Sequence, residues 1–102
     1  MRVFYGGVLG MTEVEKPAAL RSRGGAWFRA GAVEVHVGID QRFVPASKAH
    51  PAFVVSDVRE VAARVATAGG RVTWDESIEG TQRFHTHDPV GNRVELQQDH
   101  TT

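Results

Sequence analysis

The chain has no cysteine, which excludes a disulfide framework, a thiolate nucleophile and a cysteine-held zinc site; any metal must rest on His, Asp or Glu. It has no excess of either charge. Lys plus Arg and Asp plus Glu each number 12, a balance that offers no basic face to nucleic acid or to an anionic membrane. It also lacks a long apolar run. The opening MRVFYGGVLG is broken by glycines, so it reads as neither a signal peptide nor a membrane span. A cytoplasmic protein with a small-molecule partner is expected, without nucleic-acid or membrane partners. A chain of 102 residues makes one domain with a single core.

Of what is present, the clearest pattern is SDVREVAARVATAGG, in which Val58, Val61, Ala62 and Val65 repeat at i, i+3, i+4 and i+7. Asp57 stands at the N-cap position, Glu60 three residues on completes a capping-box pattern, and Gly69-Gly70 supplies the stop. A helix is predicted there. HPAFVV before it and RVTWD, TQRFHTH and NRVELQQ after it read as strands, the last two joined by the turn DPVGN. The first half repeats this plan in a worn form. RVFYGGVLG reads as a short glycine-weakened helix over residues 2–9, MTEVE as a strand, and GAWFRAG with AVEVHVG as a hairpin. No strand equivalent to HPAFVV precedes the first helix. Unit one is placed at about residues 1–39, a linker containing QRFVPASKA at 40–49, and unit two at 50–98.

Two βαβββ units, with FYGGVLGM in the first helix, AHPAFVVSDV opening the second unit and FHTHDPVGNRVELQQ closing it, resemble the vicinal oxygen chelate superfamily. That group includes lactoylglutathione lyases, bleomycin-resistance proteins, fosfomycin-resistance proteins and extradiol dioxygenases. The resemblance covers nearly the whole chain. It implies an α+β fold in which paired βαβββ units form a curled, half-open mixed sheet around a cavity, here with the first strand of unit one absent. It also implies metal ligands on the first and last strands of each unit. That pattern falls on His50 and Glu95 in the second unit and on Glu34 or His36 in the first, the choice between these two staying open.

His36, His50 and Glu95 together would make two imidazoles and one carboxylate, a set that leaves coordination positions free and suits iron, or with a further ligand zinc, nickel or manganese. Such an ion would act as a Lewis acid toward two neighbouring substrate oxygens and stabilise an enediolate, with Glu34 as the general base. This predicts a metal-dependent lyase, isomerase or dioxygenase acting on a small oxygenated substrate. The alternative is a non-catalytic small-molecule or antibiotic-binding protein without metal. On strand pattern alone, Glu95 and Glu34 also fit carboxylates on a solvated sheet face, His50 a linker residue bonded to backbone, and His36 a structural histidine. His85 and His87, near a turn on an outer hairpin, are read as solvated and left outside the site; His100 falls in a tail without pattern. Trp27, Phe28, Phe53, Trp74 and Phe84 lie in predicted strands as core, with Trp27 and Trp74 also able to wall a cavity. A homodimer is expected, because three strands alone leave the first unit with an exposed margin.

Overall fold

A computed structural model describes residues 1–100, and the chain divides into two compact units, Met1–Val44 and Pro45 onward. In the first unit, three antiparallel strands run in the order β1 (Thr12–Val14), β2 (Ala26–Ala30) and β3 (Val33–Val37). β2 and β3 form a hairpin with Ala30 opposite Val33 and Trp27 opposite His36. Its two-residue loop opens with Gly31 at φ +59°, a conformation that favours glycine. The predicted first helix is present but winds as a π-helix over Arg2–Val8, burying Phe4, Tyr5 and Val8. Tyr5 meets the fully buried Phe28 of β2 with ring centroids 5.7 Å apart. A 3-10 segment, Ala18–Arg23, follows Pro17 and has no counterpart in the sequence-based reading. Just beyond it Gly25 runs at φ +81°, and a Cβ there would lie 2.1 Å from the Val37 carbonyl oxygen, so a side chain would push β3 off β2.

In the second unit, four strands run in the order β4 (Ala52–Val55), β7 (Arg93–Gln98), β6 (Arg83–His87) and β5 (Thr73–Trp74). β4 is parallel to β7, and the other neighbours are antiparallel. Between β4 and β5 lies α1 (Val58–Thr67), whose buried face is Val58, Val61, Ala62 and Val65, the four residues of the apolar stripe. Asp57 accepts the Glu60 N–H on Oδ1 at 3.1 Å, and Gly69 at φ +85° ends the helix. Gln98 ties the helix start to the end of β7. Its Oε1 accepts from Val58 N at 3.0 Å and its Nε2 donates to the Ser56 carbonyl at 2.8 Å.

α1 packs on β6 and β7, and strand alternation sends Phe84, Thr86, Val94 and Leu96 into that contact, each no more than 1% exposed. Burying each of the larger apolar side chains is worth about 1.5–3 kcal/mol. The opposite face of the same two strands carries Arg83, His85, Glu95 and Gln97. The turn between them is built by Asp88: Oδ1 accepts from Val90 N and Asn92 N, Oδ2 accepts from Asn92 Nδ2, and Gly91 takes φ +92°. This turn sets the register that places His85 directly opposite Glu95.

Candidate metal centre

Glu95 sits at the centre of an interior strand, with Ala52 of β4 on one side and His85 of β6 on the other. It is 3% exposed, and its two carboxylate oxygens have different surroundings. Oε2 accepts from Gln97 Nε2 at 2.6 Å and from Arg83 Nη1 at 3.1 Å. Oε1 faces two imidazole nitrogens, His50 Nε2 at 2.9 Å and His85 Nε2 at 3.2 Å. Burial alone would raise the carboxyl pKa. The hydrogen bonds from Gln97, His50 and Arg83, with the Arg83 charge, outweigh that and hold it at about 2, so Glu95 is ionised.

Arg83 is anchored in turn. Its Nη2 donates to Asp75 Oδ2 at 2.8 Å and to Ser77 Oγ at 3.2 Å. Asp75, stabilised as a carboxylate by its bonds from Ser77 ahead of the Arg83 charge, has a lowered pKa. Ser77, Asp75, Arg83 and Gln97 therefore fix which oxygen of Glu95 is committed to the protein and which is left toward the histidines.

The histidines supply a test of fit. His50 Nδ1 lies 2.8 Å from the Lys48 carbonyl, which can only accept, so Nδ1 carries a hydrogen. In a neutral ring Nε2 then offers a lone pair to Glu95 Oε1, itself an acceptor. A contact of 2.9 Å between them requires a proton or a cation in between. His85 is 7% exposed, and burial, followed by the charge of Arg93, lowers its pKa and favours the neutral, ligating form. The separations of 2.9 and 3.2 Å match neighbouring ligand atoms around an ion bonded at roughly 2.0–2.2 Å. The donor set thus fits a divalent ion. Among the described residues, the His, Asp and Glu side chains close enough to share one are His50, His85 and Glu95.

Of the residues singled out from sequence, the structure brings His50 and Glu95 together and adds His85. The placement of His85 in solvent is corrected: β5 pairs along the outer side of β6, so residue 85 lies inside the sheet. Its signal was available, because a turn centred on residue 90 sets 85 opposite 95. His87, one step nearer the turn, is exposed. His36 and Glu34 lie on β3 of the first unit. His36 stacks on Trp27 with centroids 3.5 Å apart and planes at 3°, and its Nε2 is 4.0 Å from Glu34 Oε1. Glu34 also accepts from Arg29 Nη2 at 3.2 Å.

A family model of the glyoxalase-like domain matches residues 1–97, and the chain belongs to that family. A glyoxalase family protein from Bacillus anthracis is 42% identical, with a TM-score of 0.91, over 96% of this chain and 80% of that one. A lactoylglutathione lyase from Agrobacterium tumefaciens is 20% identical, with a TM-score of 0.70, over 94% of this chain and 81% of that one. The fosfomycin resistance protein FosX from Listeria monocytogenes is 14% identical, with a TM-score of 0.77, over 97% of this chain and 81% of that one. The last two show a shared fold. No curated protein matches the chain. The fold is therefore α+β with open sheets, of the glyoxalase/bleomycin resistance/dioxygenase superfamily. Among the described residues no helix is long and apolar enough to cross a membrane.

Proposed function

We propose that the protein is a metal-dependent enzyme of the lyase, isomerase or dioxygenase type, acting on a small oxygenated substrate. The observation that carries this reading is the convergence of two imidazole Nε2 atoms on one oxygen of a buried carboxylate whose other oxygen is pinned by the protein. His50, His85 and Glu95 would hold the ion, which when bound supplies Lewis-acid polarisation of substrate oxygens. Three protein ligands leave positions for substrate. The chain's own residues do the rest. The Lys48 carbonyl keeps a hydrogen on His50 Nδ1 and so directs Nε2 to the site, while Arg83 and Gln97 stop Glu95 from rotating.

His36 as a further ligand and Glu34 as the proton carrier belong to the proposal on the sequence and its family resemblance alone. So do the homodimer, which light scattering would report, and the cytoplasmic location. To test the function, protein loaded separately with iron(II), zinc, nickel or manganese is assayed with lactoylglutathione and fosfomycin, the compounds that name its structural relatives. Turnover with one metal, lost in Glu95→Ala and His50→Ala, is the expected result. Ligand binding that needs no metal and leads to no turnover would overturn it in favour of a sequestering protein.

A further inference from the structure

Two arginines accompany Glu95 on the same face of the second sheet, and their surroundings differ. Arg83 is held through Nη1 by Glu95 and through Nη2 by Asp75 and Ser77. Arg93 is half-buried on β7, two residues before Glu95 and opposite His87, and it has no hydrogen-bond or ion-pair partner among the described residues. The stem of a half-buried arginine lies along the sheet while its charged head reaches water, where an anion from outside the chain can meet the guanidinium. Its charge already reaches the cluster, acting on His85.

The local charges point the same way. Glu95 and Asp75 are negative, Arg83 and Arg93 positive, and the two cluster histidines add nothing when neutral, so the face is balanced before a divalent ion enters. With the ion bound it carries two uncompensated positive charges, which an anionic ligand would offset. Residues two apart on a strand are about 6.6–6.8 Å apart. An anion on the Arg93 guanidinium and oxygens at the cluster can therefore belong to one small molecule. The planar fork of arginine fits carboxylate and phosphonate oxygens in pairs.

Resting on the metal-site reading above, we propose that Arg93 receives an acidic group of the substrate, and that the site is specific for a small oxyacid rather than for a neutral diol or carbonyl compound. The probes are glycolate, hydroxymethylphosphonate and the neutral glycolamide, titrated calorimetrically into metal-free and zinc-loaded protein. Wild type is expected to bind at least one acid about tenfold or more tightly than glycolamide. Arg93→Gln and Arg93→Ala should abolish that preference, while Arg64→Gln on the exposed side of α1 keeps it. The better of the two acids identifies the group. Equal binding of acid and amide by wild type, no binding of any probe, or an undiminished preference in a folded Arg93 variant would overturn the proposal. The two readings fail separately. Zinc binding without acid preference sinks the role of Arg93 alone, and acid preference in protein that takes up none of iron(II), zinc, nickel and manganese sinks the metal site alone.

Discussion

The two units each end on a strand with a glutamate between apolar residues, Val-Glu-Val at Glu34 and Val-Glu-Leu at Glu95, yet the two carboxylates have different fates. The Glu34 side chain is 40% exposed and shares one oxygen between Arg29 and a distant His36. The Glu95 side chain is 4% exposed and takes four donors or ligand-type nitrogens on its two oxygens. Place within the sheet explains the difference. β3 is an edge strand with a neighbour on one side, whereas β7 lies between β4 and β6, and both flanks supply polar groups. One local pattern thus yields a solvated ion pair at an edge and a candidate metal centre in an interior.

The sharpest way to break this comparison is to remove each carboxylate. Glu95→Ala leaves a buried guanidinium and two histidines without their acceptor, and should cost about 3–5 kcal/mol in urea denaturation. Glu34→Ala should cost less than about 1 kcal/mol. Acid sharpens the contrast next. The folded pKa of Glu95, about 2, lies below the usual 4.5, so between those values the unfolded chain binds more protons and stability falls as pH falls. For metal-free protein about 3 kcal/mol should be lost across that window, and Glu95→Gln should lose less. Arg83→Ala, which withdraws a donor from Glu95 and from Asp75, should cost about 2 kcal/mol and weaken zinc binding about tenfold or more, both by calorimetry. The smallest effect is expected on β3. His36→Ala removes the stack on Trp27, should change stability by less than about 1 kcal/mol, and should register as altered tryptophan fluorescence.

Much of the second unit was legible because its signals are local. The period of Val58, Val61, Ala62 and Val65, the Asp57 cap and the DPVGN turn each act within a few residues, and the helix and hairpin form where those signals lie. Glu95 was legible through the alternation of its strand and the resemblance of its motif. His85 was misplaced because its burial depends on β5, a two-residue strand whose pairing is visible only in three dimensions. Arg83 and Asp75 were not singled out, since each reads as an ordinary surface charge until the register brings them to Glu95. In the first unit, Gly6-Gly7 predicted a weak helix but not its π winding, and Ala18–Arg23 has no 3.6-residue apolar period to announce its 3-10 turns.

The central claim is that an interior carboxylate and two histidines of the second unit hold a metal ion. The most direct measurement is native mass spectrometry of tag-free protein, purified without chelator and supplied with one divalent metal at a time, for wild type, Glu95→Ala, His50→Ala and His85→Ala. One ion per chain in wild type, lost in all three folded variants, is the predicted result. Folded wild type that takes up none of the metals, or a folded Glu95→Ala that retains the ion, would contradict the account.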